Sequence, residues 1–221
     1  MHWIDRVPPG VYAITPDGLP AEAIRQGVLR LLEAGIRLLQ LRSKHLDTAA
    51  RAGLARALLP ACRAHGVPLI VNDDLDLAER VGADGVHLGR NDGSLARARA
   101  RLGPGAVVGA SCYADFDRAL AAADEGASYV AFGAVYPSPS KPAAPPAPVE
   151  LFRRWTRADV PAVAIGGLDA DNAGPVLAAG ARWVAMIGAL WQAPDPRAVV
   201  QRVHERLVPS QGEPQHASLQ P

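Results

Sequence analysis

The chain has 221 residues, of which 49% are hydrophobic and 20% charged, and its formal net charge is +1. That is enough apolar material for one sizeable core, and too weak a net field to recruit nucleic acid or an anionic membrane. Two cysteines, Cys62 and Cys112, imply no disulfide framework, MHWIDRVPPG has no apolar leader core, and no apolar run reaches the length of a membrane span; the expected setting is reducing and cytoplasmic.

Short apolar, β-branched runs follow one another along the chain. They are GVYAITP (10–16), IRLLQLRS (36–43), VPLIVND (67–73), GVHLG (85–89), VVGASC (107–112), SYVAFGAV (128–135), PAVAIGG (161–167) and WVAMIGAL (183–190). Most are continuously apolar instead of alternating, which predicts parallel strands covered on both faces. Between them lie Ala-, Arg- and Leu-rich segments of helical spacing, with Asp47 and Asp115 placed as N-caps and Gly66 and Gly126 as C-terminal glycines. Pro60 falls where it would kink the helix after the second strand or end it early. Eight strand–helix units in about 210 residues predict a single α/β domain, a (β/α)8 TIM barrel over residues 1–208, with a doubly wound open sheet as the runner-up. The polar, Pro- and Gln-rich tail 209–221 reads as disordered.

In such a barrel the chemistry belongs to the C-terminal ends of the strands. Strand two ends in QLRSK, which puts Gln40, Arg42 and Lys44 at period two; strand three ends at Asn72 and Asp73, and strand four leads to Asp92. Strand five ends in Ser111 and Cys112, strand six runs into Ser138, Ser140 and Lys141, strand seven ends at Gly166-Gly167 and strand eight at Ile187-Gly188. Cations, hydroxyls and bare glycine backbone suit a phosphorylated ligand. Two carboxylates beside a phosphate repel it unless a divalent ion lies between, so Asp73 and Asp92 are the candidate Mg²⁺ ligands. Each residue also has a structural role open to it: Asp73 as a helix cap, Asp92 as a turn residue, Arg42 and Lys44 as a solvated strand end, and Gly166-Gly167 as a tight turn. His87 reads as a packed or hydrogen-bonded strand residue, and Cys112 as a small buried hydrophobe. No Walker loop or dinucleotide fingerprint is present.

The ordered set YAITPD, QLRSK, VNDDLDLA, ADGVHLG..D, GASCY, FGAVYPSPSKP, AIGGL and AMIGAL resembles the thiamine-phosphate synthase family across residues 10–205. The resemblance implies a Mg²⁺-dependent transferase joining 4-amino-2-methyl-5-(diphosphooxymethyl)pyrimidine to a thiazole phosphate, with release of pyrophosphate. By match to the family's motifs, Gln40, Leu41, Arg42, Ser43, Lys44 and Asn72 would bind the pyrimidine diphosphate, and Asp73 and Asp92 would hold the metal. Ser111 and Lys141 would touch the same substrate, and with Arg42 they are the implied catalytic groups. Ser138, Pro139, Ser140, Gly167, Ile187 and Gly188 would receive the thiazole phosphate. Its partners would be these small molecules, with neither nucleic acid nor membrane, and self-association is left open. Three departures stand out: Ser138 and Ser140 replace frequent threonines, Gly188 stands where many members have serine, and PAAPPAP (142–148) replaces a more polar lid. The alternatives are the paralogous thiazole tautomerase, a non-catalytic binder of phosphorylated thiamine precursors, and another phosphate-binding barrel such as a sugar-phosphate epimerase or indole-forming synthase.

Overall fold

A computed structural model of the chain describes residues 3–137 and 146–207. Eight parallel strands, β1 (Gly10–Ile14), β2 (Leu38–Leu41), β3 (Leu69–Asn72), β4 (Gly85–Leu88), β5 (Val107–Tyr113), β6 (Tyr129–Phe132), β7 (Ala162–Ile165) and β8 (Trp183–Met186), pair in order and close through β8 and β1. The closed (β/α)8 barrel of the sequence reading is borne out, and the open sheet is excluded. Among the described residues no helix is long and apolar enough to cross a membrane.

The outer layer contains α2 (Ala21–Ala34), α3 (Thr48–Ala64), α4 (Leu75–Val81), α5 (Leu95–Leu102), α6 (Phe116–Asp124), α7 (Glu150–Arg154), α8 (Gly174–Ala178), the short α9 (Gly188–Trp191) and α10 (Pro196–Glu205), with α1 (Trp3–Arg6) preceding the barrel. The Asp47 and Asp115 carboxylates accept from the N–H groups of Ala50 and Arg118, so both cap helices as expected. Pro60 does not end α3, which continues to Ala64.

Side-chain alternation along the strands creates two apolar layers. Outward residues such as Val11, Leu39, Leu41, Val71, Val86 and Cys112 pack under the helices. Inward residues, including Tyr12, Leu38, Ile70, Tyr129, Val163 and Trp183, fill the barrel. Trp3 of α1 seals the N-terminal end: it is 5% exposed and stacks on Trp183 with ring centroids 5.4 Å apart. Arg182 ties this plug down by donating to the carbonyls of Ile4 and Val7, and the Trp183 indole N–H donates to Pro8 O. At the other end Trp191 of α9 donates its indole N–H to Ile14 O at 2.9 Å. Its ring lies over Gly27 of α2, where a Cβ would come within 2.2 Å of it. That wedge fixes where the chain emerges from β8.

Candidate active site at the C-terminal rim

The loop after β2 is where strand pattern and structure diverge. The sequence pattern carries β2 through Ser43, with period two running on to Lys44, but the strand stops at Leu41. Side chains take over the backbone pairing: Thr15 Oγ donates to Arg42 O and accepts from Arg42 N. Asp17 accepts the Lys44 N–H and pairs with the Arg42 guanidinium. Gln40 therefore lies inside the barrel, 3% exposed, Leu41 packs outward under the helices, and Arg42 is aimed by Asp17 at the rim. Asp17 was not among the candidates drawn from sequence, although its position in YAITPD, two residues beyond Thr15, was visible.

Asp74 decides what Asp73 is free to do. The Asp74 side chain, not that of Asp73, caps α4 by accepting from Leu77 N at 2.8 Å. Asp73 adopts a left-handed backbone, φ 62°, unusual for a residue with a side chain, and its N–H donates to His87 O. Asp92 arrives from the loop after β4, anchored by the Gly89 N–H at 2.9 Å, where a Cβ would sit only 2.6 Å from its carboxylate. The turn role foreseen for Asp92 is real, and the same turn delivers its carboxylate to Asp73. Although Asp73 as a residue is exposed, its carboxyl is crowded. Loss of hydration, then the hydrogen bond and charge of Asp92, push it up to about 6, against the pull of Asn72 and Arg42. Two hard oxygen donors held together at this expense suit a divalent cation completed by water and phosphate oxygens. Among the described residues no larger group of histidine, cysteine or carboxylate side chains converges.

Arg42, Ser43, Lys44, Asn72 and Asp73 line one cleft of about 280 Å³ between the loops after β2 and β3. Ser111 stands at the β5 end, its Oγ 2.8 Å from His87 Nε2, just before a bulge in the β5–β6 pairing. Across the mouth, Gly166 and Gly167 have φ of 102° and 61°. A Cβ on Gly166 would lie 2.5 Å from Ala134, and one on Gly167 2.5 Å from Pro137 O. The pair thus lets the loop after β6 pack directly on the end of β7, a role beyond that of a tight turn. Tyr136 N–H donates to Gly166 O and the Asn172 amide to Gly167 O. Ile187 closes the rim above β8, and Gly188 opens α9. Cys112 faces outward, fully buried, and burial pushes its thiol up to about 12, which leaves it inert. Ser138, Pro139, Ser140, Lys141, most of the Pro-rich 142–148 stretch and the tail 209–221 lie outside the described residues.

A closed (β/α)8 barrel with a paired-carboxylate mouth beside an aimed arginine defines the class: a barrel enzyme for phosphorylated small molecules. A family model described as thiamine monophosphate synthase matches residues 11–190. A thiamine-phosphate synthase of Aromatoleum aromaticum is 52% identical over 190 residues, spanning 86% of this chain and 91% of that protein. One of Chromobacterium violaceum is 52% identical over 192 residues, with 87% and 93% covered. A solved thiamine phosphate pyrophosphorylase from Pyrococcus furiosus superposes with a TM-score of 0.79 at 30% identity, over 92% of this chain and 98% of that one. The chain belongs to the thiamine monophosphate synthase family.

Proposed function

We propose that this family member is a thiamine-phosphate synthase, a transferase that joins 4-amino-2-methyl-5-(diphosphooxymethyl)pyrimidine to a thiazole phosphate. The family match and the shared name of its relatives support the reaction. The single structural observation that carries it is the meeting of Asp73 and Asp92 beside Arg42 at the mouth.

The carbon–oxygen bond between the pyrimidinylmethyl carbon and the diphosphate breaks, and its electron pair leaves with the diphosphate. The thiazole nitrogen then gives its lone pair to that carbon, forming thiamine phosphate. No proton is abstracted and no protein nucleophile is consumed, in keeping with an inert Cys112. Mg²⁺ bound by Asp73 and Asp92 would supply charge neutralisation at the departing diphosphate. Arg42, aimed by Asp17, offers a fork of donors to the same oxygens. Gln40 and Ser111, deeper in the barrel, orient the pyrimidine, while Asn72 and the backbone of 41–44 hold its diphosphate. Lys141, Ser138, Pro139 and Ser140 take the family's loop role on the phosphates, and Gly167, Ile187 and Gly188 offer backbone to the thiazole phosphate. The barrel contributes positioning, charge complementarity and exclusion of water.

The test is incubation with both precursors, with and without Mg²⁺, followed by detection of thiamine phosphate and pyrophosphate. Formation of both only with Mg²⁺ supports the reading. Absence of product, or full activity under exhaustive chelation, refutes it.

A further inference from the structure

A continuous chain of hydrogen bonds crosses the barrel interior beneath the rim. The Gln40 Nε2 donates to Tyr12 OH at 3.0 Å. Tyr12 OH lies 2.8 Å from Tyr129 OH, Tyr129 OH 2.8 Å from His87 Nδ1, and His87 Nε2 2.8 Å from Ser111 Oγ. Tyr12, Tyr129, Gln40 and His87 are 1%, 0%, 3% and 8% exposed, so little of this chain can turn to water. Its two ends are the side chains placed against the pyrimidine above.

The barrel is built around this chain. His87, Gly109 and Tyr129 are register partners on β4, β5 and β6. The middle position has no side chain, and a Cβ there would lie 2.1 Å from the Tyr129 ring and 2.7 Å from His87 Nδ1. The Tyr129 and His87 rings stack over the gap at 5.6 Å and 19°.

The Gln40 amide, donating at one end, sets the direction of the chain. Burial pushes both phenols well above their ordinary value, so each keeps its proton. A buried O–H that points at nothing is expensive, so every proton must be used. Tyr12 accepts from Gln40 and must donate to Tyr129. Tyr129 in turn donates to His87 Nδ1, and in that tautomer Nε2 donates to Ser111 Oγ. Besides the second Gln40 N–H, two groups then remain for a ligand: the Ser111 hydroxyl proton and the Gln40 Oε1. Reversing the Gln40 amide would require reversing every bond to Ser111, so the two ends are coupled.

We propose that His87, held by Tyr129 and Tyr12, is a positioning residue that presents Ser111 as a donor and Gln40 Oε1 as an acceptor, so that the site selects an aminopyrimidine over its oxo counterpart. An amino group beside a ring nitrogen matches that polarity, whereas an oxo group beside a ring N–H inverts it. The inference rests on the placement of Gln40 and Ser111 against the pyrimidine.

The test measures dissociation constants of the 4-amino pyrimidine diphosphate, its 4-oxo analogue and inorganic pyrophosphate, by calorimetry with Mg²⁺ and without the thiazole phosphate. In the unaltered protein the oxo analogue should bind roughly hundredfold more weakly, about tenfold for each inverted hydrogen bond. His87→Leu and Tyr129→Phe should each lower that discrimination roughly tenfold while pyrophosphate affinity stays unchanged, a result that general loosening of the core does not give. His87→Gln, whose amide can accept from Tyr129 and donate to Ser111, should restore it. Tyr129→Phe removes one oxygen and keeps the ring, so the test survives if His87→Leu fails to fold. Undiminished discrimination in Tyr129→Phe and in any folded His87→Leu overturns the proposal. Equal binding of the three ligands by the unaltered protein instead removes the pyrimidine placement, and the proposal with it.

Discussion

Asp73→Asn separates the function of the acidic pair from its effect on stability. The Asp73 carboxyl moves from the 3.8 of a free aspartate to about 6 in the folded chain, so the folded protein binds more protons than the unfolded chain between those values. Its stability contribution is therefore present at low pH and is lost as pH rises through about 6. A shift of that size corresponds to ~3 kcal/mol in full. The rim is open to solvent, and screening takes the expectation down to about 1 kcal/mol. Asparagine carries no charge and does not titrate, so without divalent metal at pH 8 the variant should melt a few degrees higher than the unaltered protein, at about 2–4 °C per kcal/mol for a chain of this size. The gap should close as pH falls to about 4. Mg²⁺ at ten times its dissociation constant should add about 1.4 kcal/mol to the unaltered protein and nothing to the variant. Turnover should fall by roughly 10²-fold or more, the scale of one lost electrostatic stabiliser. Thermal melts from pH 4 to 8, with EDTA or Mg²⁺, and steady-state kinetics on the same samples provide the assay. A variant that melts no higher than the parent at pH 8 in EDTA, or one that turns over normally, refutes the assignment.

Three further outcomes follow from neighbouring positions. Gly188→Ser should fold and leave the KM for the thiazole phosphate equal or lower, because the nearest atoms to a new Cβ are 3.7–3.9 Å away on Gln192; a clearly raised KM in steady-state assays contradicts this. Asp17→Asn should raise the KM for the pyrimidine diphosphate about tenfold with little change in melting, since it releases the Arg42 guanidinium from a charge-assisted partner; an unchanged KM would make Asp17 a loop anchor only. Gly109→Ala should lower the melting temperature by several degrees, the effect of about 1–3 kcal/mol of overpacking against Tyr129 and His87, and a melt within one degree of the parent would show that the two rings can part freely.

The strand count, the barrel and the capping residues Asp47 and Asp115 were legible because they depend on local chemistry: apolar run length, a carboxylate before a helix, a glycine after one. The carboxylate pair was legible for a related reason, since each aspartate follows the end of a strand and a barrel brings the loops after its strands to one rim. The early stop of β2 was not, because Thr15 and Asp17, some 25 residues earlier in the chain, replace its backbone partners. The interior chain was hidden more deeply. Tyr12 and Tyr129 are 117 positions apart and each reads as ordinary core; only closure of the barrel brings the two hydroxyls together. Gly109 offered a faint signal, a residue without a side chain inside the strand run VVGASC.

The tryptophan floor of the barrel leaves the opposite rim as the end where the strand loops can build a site. With Trp3 and Trp183 stacked at the bottom and side chains filling the interior above them, the barrel is a packed core and not a pore.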